Sequence, residues 1–278
     1  MNLNLFPVMA EKTKSTEEEM SFLEHLEELR WHIIRSLGSV IFFAVMVFLF
    51  KDFVFEEIVF AHKKDSFLTY RVLCGLADFL CFTPPDFDIV PREFGEKFFT
   101  HLKVSFWLGI TISIPYIFFE LWKFIKPGLY KKEQKAARGM VTICSSLFIS
   151  GILFGFFIIA PFAIKFLAGY SLSLDEVLVN DTTSLASYVN YLTMFTVPTG
   201  FVFELPIIVY FLSRIGLLTP EFMRKYRKHS IVVILIFAAI ITPPEVITQI
   251  LIGIPILVLY EISIHVSKRA VKKYQSDN

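Results

Sequence analysis

Residues 33–50 have the sequence IIRSLGSVIFFAVMVFLF, an apolar run of 18 residues in which Arg35 is the one charged side chain. A run of this length is sufficient for a helix to cross the hydrocarbon core of a bilayer. The whole chain has the same character, since 55% of its 278 residues are hydrophobic, 32 are Phe and only 19% are charged. A soluble domain has about 25% charged residues. The composition therefore predicts a polytopic membrane protein and excludes a water-soluble enzyme, a nucleic-acid binder and a disordered chain.

Further apolar runs follow the first, and together they predict an all-α membrane protein with six transmembrane helices. The predicted spans are residues 31–50, 103–122, 140–168, 185–213, 230–242 and 246–264. The fifth and sixth are short, because the 11 apolar residues from Ile231 to Ile241 rise about 1.5 Å each and do not reach across about 30 Å of hydrocarbon. We expect these two helices to span a locally thinned bilayer, with a re-entrant hairpin as the alternative.

The chain divides into three predicted segments: a flexible polar tail at 1–16, a single membrane domain at 17–268 and a basic tail at 269–278. Within the domain, residues 17–30 have the apolar spacing of an amphipathic surface helix. Residues 51–102 are too polar to span a membrane and are predicted to form a mixed loop. Cys74 and Cys81 in this loop form a disulfide if it faces an oxidising compartment, and the alternative is two unrelated reduced thiols.

The distribution of basic residues predicts the orientation of the chain. Three segments rich in Lys and Arg lie on one side of the predicted spans: residues 123–139, residues 214–229 and the C-terminal tail. An excess of Lys and Arg in short loops indicates the cytoplasmic side. Residues 169–184 contain Asp175, Glu176 and Asp181 but no basic residue, so this loop is predicted to lie outside. With six spans, both termini are then cytoplasmic.

Catalysis is poorly supported by the sequence. It contains no His-Glu-x-x-His pair, no Gly-x-Ser-x-Gly and no Gly-rich phosphate-binding loop, so we expect no enzyme activity, no cofactor and no metal. The six histidines are predicted to be residues of the membrane interface; they are His25, His32, His62, His101, His229 and His265. Any work that the protein performs must therefore draw on an ion gradient or on partner proteins.

Glu204 is a carboxylate in the middle of the predicted fourth span. An acidic residue in a bilayer costs about 2.5–3.5 kcal/mol on insertion scales and is a candidate functional residue. One alternative is a neutral side chain bonded to a carbonyl that Pro206 leaves without a donor; another is a polar docking point for a partner's helix. A third is a proton relay in an ion-coupled small-molecule transporter, although the chain lacks the internal repeat of many transporters.

Four motifs resemble the TatC family of the twin-arginine protein translocase. They are SFLEHLEELR at 21–30, LWKFIKPGLYKKE at 121–133, FELP at 203–206, and TPPE at 242–245 followed by Gln249. They occur in the family's order, and the resemblance covers roughly residues 20–268. It implies a six-span core receptor subunit in a bacterial cytoplasmic (inner) membrane, which exports folded proteins with the proton-motive force.

The resemblance also implies a signal-peptide site at the cytoplasmic face, in which Glu28 and Glu133 face the two guanidinium groups of a twin-arginine signal peptide. A guanidinium group is a planar fork that pairs bidentately with a carboxylate, a geometry that an ammonium group cannot reproduce. Exposed ion pairs contribute only about 0–1 kcal/mol, so selectivity requires partial desolvation. The further residues of the predicted site are Arg30, Phe124, Leu129 and Tyr130.

Partner subunits are the second implication of the resemblance. The expected partners are single-span subunits of the TatA and TatB types, other copies of the same chain and the lipid bilayer, with no nucleic acid. The implied docking residues are Glu204, Thr242 and Gln249, whose polar groups can pair with a polar residue of a partner helix. The chain departs from the family pattern at two positions. Ala239, a small apolar residue, occupies another position that contacts partner subunits in the family, and Glu245 stands where Asp is usual.

Overall fold

The computed structural model describes residues 22–76, 83–84, 87–128, 139–169, 182–241 and 246–277. Five helices in these ranges are long and apolar enough to cross a membrane: His25–Leu49, Glu96–Ile125, Met140–Gly169, Leu185–Arg214 and Gln249–Lys272. The prediction of a helical, multi-pass membrane protein is thereby confirmed. The fifth predicted span, 230–242, is not among these helices, so the count of six remains a prediction.

The first two long helices pack as an antiparallel pair. Helix α1 is Phe22–Leu49, so the predicted surface helix and the first span form one helix, because no Pro interrupts their backbone hydrogen bonds. Past α1 lie the short helix α2 (Lys51–Phe53) and helix α3 (Leu68–Leu76). Helix α4 is Glu96–Ile125 and begins before the predicted span. Gly109 allows α4 to approach α1 closely, because a Cβ atom there would lie 2.7 Å from the Ala44 nitrogen.

The predicted loop at 51–102 contains regular structure that the sequence did not indicate. Besides α2 and α3 it has a π-helical segment, Val54–Val59, and a 3-10 turn, Ala61–Lys63. Strand β1, Asp88–Val90, pairs in parallel with strand β2, Thr182–Ser184. We call α2, the π-helical segment Val54–Val59, the 3-10 turn, α3, β1 and β2 together the end cap, because they cover one end of the helix bundle.

The third long helix anchors the end cap. It comprises α5 (Met140–Phe154), a π-helical segment (Gly155–Ile159) and α6 (Ala160–Gly169). A π-helical segment changes the hydrogen-bond register of a helix, so backbone carbonyls become available to other donors. Here the Phe156 carbonyl accepts from His62 Nε2 at 2.9 Å, and the Phe157 carbonyl accepts from the Thr69 hydroxyl.

The fourth long helix packs closely against the third. It comprises α7 (Leu185–Phe203) and α8 (Leu205–Arg214), with Glu204 between them. A Cβ atom at Gly155 would lie 2.6 Å from the Phe195 carbonyl oxygen. Small residues of this kind permit close helix contacts in membranes. Tyr188 on α7 also donates to the Val59 carbonyl at 2.8 Å, which joins the helix to the end cap.

The remaining helices are α9 (Pro220–Lys225), α10 (Arg227–Ile241) and α11 (Val246–Asp277). The 15 residues of α10 extend about 22 Å, which is less than the hydrocarbon core. Helix α11 has 32 residues, and its apolar part is long enough to span. The shortness predicted for the sixth helix is therefore not confirmed.

Candidate functional site

Glu28 and Phe124 lie at the end of the α1–α4 pair opposite the end cap, because the two helices are antiparallel. The Phe124 ring stacks on the His25 ring, with centroids 4.4 Å apart and planes inclined by 18°. It also presents an edge contact to His32, with centroids 6.1 Å apart. We call this part of the surface, formed by His25, Glu28, His32 and Phe124, the Glu28 site.

The Glu28 carboxylate has an unused acceptor. Its side chain is half-buried, and its Oε2 atom is buried without a hydrogen-bond partner in the part of the chain that the structure describes. A buried acceptor without a donor costs about 1–3 kcal/mol. No donor among the described residues removes this cost.

Arg30, a predicted member of this site, contacts Glu27 and Trp31. Its Nη2 atom lies 3.3 Å from Glu27 Oε1, and both side chains are more than half exposed. Its guanidinium carbon lies 5.6 Å from the centroid of the Trp31 ring. Exposed pairs of this kind contribute little to stability. Arg30 therefore neutralises Glu27, and it forms no described salt bridge with Glu28.

Glu120 is a residue of this region that the sequence analysis missed. Its side chain is only 2% exposed, and its Oε2 atom lies 2.5 Å from His32 Nδ1. Lys123 and Arg35 lie at 3.8 and 4.0 Å from its carboxylate oxygens, and the Tyr116 hydroxyl also hydrogen-bonds it. Glu120 is the one acid in the predicted span 103–122. The rule that singled out Glu204 could therefore have found it.

The Glu120–His32 contact positions the Glu28 site. Glu28 precedes His32 by one helical turn on α1, and Phe124 follows Glu120 by one turn on α4, so each side chain lies next to the contact. The sequence analysis predicted His32 as a residue of the membrane interface and did not predict that its ring pairs with a buried carboxylate across the two helices. The pair fixes how the two helix ends face each other.

Glu204 is buried at the junction of α7 and α8, with 7% of its surface exposed. Its carboxyl group hydrogen-bonds the Cys144 thiol and the Phe148 backbone, both on α5. These partners belong to a neighbouring helix and differ from the carbonyl freed by Pro206, which was one of the alternatives for this side chain. The Oε1 atom has no hydrogen-bond partner among the described residues, so this buried acid also retains an unused acceptor.

The predicted docking residues are only partly visible. Gln249 is half-buried on α11, and its Nε2 atom donates to the Leu235 carbonyl on α10 at 3.2 Å. Ala239 on α10 is exposed. Four other predicted site residues lie outside the described residues, and their roles remain predictions; they are Leu129, Tyr130, Glu133 and Thr242.

The end cap has its own ionisable groups. Burial lowers the pKa of His62 to about 4 and outweighs the opposing effect of its bond to the Phe156 carbonyl. Cys74 on α3 is disulfide-bonded, whereas Cys144 is a free thiol. The other cysteine of the chain, Cys81, lies outside the described residues. Across the described ranges, no group of three or more His, Cys, Asp or Glu residues could hold a metal ion.

Comparison with known proteins identifies the family. The family model described as Sec-independent protein translocase protein (TatC) matches residues 24–255, from the start of α1 into α11. The chain belongs to the TatC family. It is 36% identical over 267 residues to the TatC protein of Blattabacterium sp., covering 94% of this chain and 99% of that protein. It is 33% identical to the TatCy protein of Bacillus subtilis, covering 96% of each.

Solved structures give the same result. The crystal structure of a protein described as the twin arginine translocase receptor TatC superimposes with a TM-score of 0.67 at 34% identity. The match covers 89% of this chain and 99% of that one. This TatC-family chain is therefore a multi-pass membrane component of a Sec-independent protein translocase, a transport protein rather than a catalytic enzyme.

Proposed function

We propose that this TatC-family chain is the receptor for twin-arginine signal peptides in its translocase, and that Glu28 binds one signal-peptide guanidinium group. The observation that carries the proposal is the half-buried Glu28 carboxylate, whose Oε2 atom has no partner among the described residues. A guanidinium group presents N–H donors in a planar fork that matches a carboxylate. A solved relative is described as the twin arginine translocase receptor, which supports this assignment.

We attribute the proposed preference for Arg over Lys to the aromatic residues of the Glu28 site. The His25 and Phe124 rings stack on each other, and we expect them to limit the access of water to a bound guanidinium group. Guanidinium groups also pack on aromatic faces, which an ammonium group does less well. Glu133 is proposed as the second carboxylate, with Leu129 and Tyr130 as further apolar contacts. Arg30 belongs to this surface but pairs with Glu27.

The proposed orientation places the Glu28 site in the cytoplasm of a bacterium and the end cap outside the inner membrane. Two features support it. The segments rich in Lys and Arg at 123–139 and 214–229 follow the ends of α4 and α8 that lie opposite the end cap, and such segments indicate the cytoplasmic side. Cys74, which is disulfide-bonded, lies in the end cap, and structural disulfides persist in oxidising compartments. In this proposal six helices span the membrane and both termini are cytoplasmic.

Partner recruitment is the second part of the proposed function. We place docking of single-span TatA-type and TatB-type subunits at Glu204, Thr242 and Gln249, and we propose that the proton-motive force drives the subsequent export. The Oε1 atom of Glu204 has no partner among the described residues. This supports the docking role, because a polar group in lipid gains stability from a partner helix that supplies a donor. Family membership favours this role over the ion-coupled small-molecule transporter.

The decisive experiment is photo-cross-linking of a precursor protein to probes at positions 28 and 133 in native membranes. We expect cross-links with an Arg-Arg precursor and at least tenfold fewer with a Lys-Lys precursor. Glu28→Gln, tested with a probe at position 133, should reduce cross-linking to a similar degree. Glu27→Gln is the matched control, because Glu27 is the next residue and is exposed. Equal cross-linking in Glu28→Gln and the unsubstituted chain would refute the assignment.

A second experiment addresses the partner subunits. Glu204→Ala should leave signal-peptide cross-linking at position 28 unchanged and reduce co-purification of the single-span subunits severalfold. Ser146→Ala on α5 is the control, since Ser146 is exposed and bonds only within its own helix. If Glu204→Ala left partner recruitment intact and abolished uptake of a small solute into vesicles, the transporter alternative would replace the proposed function.

A further inference from the structure

A cavity of about 480 Å³ opens at the end of the α1–α4 pair that carries the end cap. Two lysines line it from different helices: Lys51 begins α2, directly after α1, and Lys97 lies in the first turn of α4. Asp52 and His101 also line the cavity. Because α1 ends and α4 begins at this level, these charges lie at one membrane surface, opposite the Glu28 site.

The charges of this cavity are not paired with other charges in the described part of the chain. Lys51, Lys97 and Asp52 form no salt bridge with any residue in the described ranges, and both lysines are exposed. Two lysines and one aspartate thus contribute two ammonium groups and one carboxylate to the lining of the cavity. A ligand with an anionic group for the lysines and a cationic group for Asp52 would complement these charges.

Two buried polar atoms of α4 lie beside the cavity and the groove that adjoins it. The Nε2 atom of His101 and the Oγ atom of Ser105, one turn later, are buried and have no hydrogen-bond partner within the described part of the chain. Ser105 is 2% exposed. It lines a second, almost wholly apolar groove of about 640 Å³ between α1 and α4. Phe48 lines this groove and stacks on His101 at 3.9 Å, so the two spaces adjoin.

We propose that the cavity and the groove together bind one phospholipid with a phosphoethanolamine head group. The phosphate would lie between Lys51 and Lys97, and the ammonium group of the lipid would pair with Asp52. An acyl chain would occupy the apolar groove beside Ser105. A single phospholipid thus has an anionic group and a cationic group that complement the cavity and an apolar chain that fits the groove. The cavity lies at the depth of the lipid head groups.

This proposal does not depend on signal-peptide binding, because the site lies at the opposite end of α1 and α4 from Glu28. In the proposed orientation the lipid belongs to the outer leaflet. A transmembrane helix of a partner also fits an apolar groove, but it has no reason to carry a phosphate and an ammonium group at its end.

The test is native mass spectrometry and thermal unfolding of the full chain in detergent, with added phosphatidylethanolamine, phosphatidylglycerol or phosphatidylcholine. We expect phosphatidylethanolamine to be retained and to raise the melting temperature. Lys51→Gln with Lys97→Gln should weaken this binding at least tenfold. The matched control is Lys228→Gln with Lys268→Gln, which removes two exposed lysines at the other end of the bundle. Equal retention in both double variants would overturn the proposal.

Two further comparisons identify the ligand. Asp52→Asn should reduce retention of phosphatidylethanolamine severalfold and leave phosphatidylglycerol unchanged, because phosphatidylglycerol carries no ammonium group. Free phosphoethanolamine, which has the head group without acyl chains, should bind far more weakly than the lipid. If free phosphoethanolamine bound as tightly as the lipid, the cavity would be a site for soluble anions. If Asp52→Asn retained phosphatidylethanolamine and phosphatidylglycerol in the same ratio as the unsubstituted chain, the head group would not be recognised. Either result contradicts the proposal.

Discussion

The two ends of the α1–α4 pair each hold a carboxylate, and the two carboxylates are in opposite situations. At the end cap, Glu96 accepts hydrogen bonds from the backbone N–H groups of Arg92, Glu93 and Ala186, the last at 2.7 Å. At the other end, Glu28 has a buried oxygen without a partner in the described structure. The first carboxylate is satisfied by the fold, whereas the second has an oxygen for which the described structure supplies no donor.

This difference separates acids whose carboxylates the fold satisfies from acids that we propose to serve binding. Glu96 joins the start of α4 to the start of α7 through the Ala186 N–H group, so it connects elements distant in sequence. Glu120 belongs with it, because His32 and Tyr116 occupy its carboxylate. Glu28 and Glu204 contribute less to the fold, since each leaves one oxygen without a donor among the described residues.

The largest expected effect is the loss of the satisfied carboxylate at the end cap. Glu96→Ala removes the acceptor of three backbone N–H groups, and hydrogen bonds to charged groups are among the stronger ones in proteins. We expect the melting temperature of the detergent-solubilised chain to fall by on the order of 10 °C. Circular dichroism with increasing temperature measures this change.

Glu93→Ala is the matched control for this prediction. Glu93 is exposed and lies three residues before Glu96, and its backbone N–H group rather than its side chain makes the contact. Its replacement should leave the melting temperature within 1–2 °C or so, as expected for a surface substitution. If both variants melted alike, the end cap would not depend on the Glu96 carboxylate and the contrast between the two ends would fail.

A second effect concerns His62 and depends on pH. Burial lowers its pKa to about 4 in the folded chain, against about 6.5 when unfolded. The unfolded state therefore binds more protons between these values, so the stabilising contribution is complete above about pH 6.5 and is lost as the pH falls toward 4. From pH 7.5 to pH 5 we expect a loss of about 2 kcal/mol attributable to this side chain.

The measurement is denaturant unfolding of the native chain and of His62→Gln at both pH values. Gln can still donate to the Phe156 carbonyl, as His62 Nε2 does, but it does not titrate. The native chain should lose about 2 kcal/mol more than the variant on acidification. An identical pH dependence of the two proteins would show that His62 is not held in its neutral form by the end cap.

The sequence predicted the long helices well because their signal is local. Apolar runs fixed four spans to within a few residues at most boundaries, as with Met140–Gly169 against the predicted 140–168. The end cap was not predicted, because its contacts join distant positions: the Tyr188 hydroxyl donates to the Val59 carbonyl 129 residues away. The π-helical segments also leave no periodic pattern in the sequence.

The candidate site was predicted unevenly for a similar reason. Glu28 and Phe124 were found through motifs, and the structure places both at one end of the α1–α4 pair. The partnership of Glu120 with His32 was not found, because it connects residues 88 positions apart and depends on how α1 and α4 pack. The sequence did show that an acid lies within the predicted second span. Only the packing of the helices shows which residue is its partner.

The third prediction tests whether Glu120 belongs to the stabilising group. Glu120→Gln, His32→Gln and the double variant form a cycle that isolates the interaction between the two side chains, which are 2.5 Å apart at their closest atoms. We expect a coupling of about 1–2 kcal/mol in the free energy of unfolding. Glu57→Gln, at an exposed pair with Lys64, should change stability little. A coupling near zero would place Glu120 in the same group as Glu28 and Glu204, which contribute less to the fold.

The smallest expected effect on stability is that of Glu28→Gln. Because one oxygen of Glu28 has no partner in the described structure, removal of its charge deprives no described donor and should change the free energy of unfolding by less than about 0.5 kcal/mol. The same variant should bind a twin-arginine peptide at least tenfold more weakly, measured by fluorescence titration. Unaltered stability with impaired binding is the opposite of what Glu96→Ala should show. If Glu28→Gln instead destabilised the chain as much as Glu96→Ala, Glu28 would have donors within the fold, and the two ends of the α1–α4 pair would not differ in function.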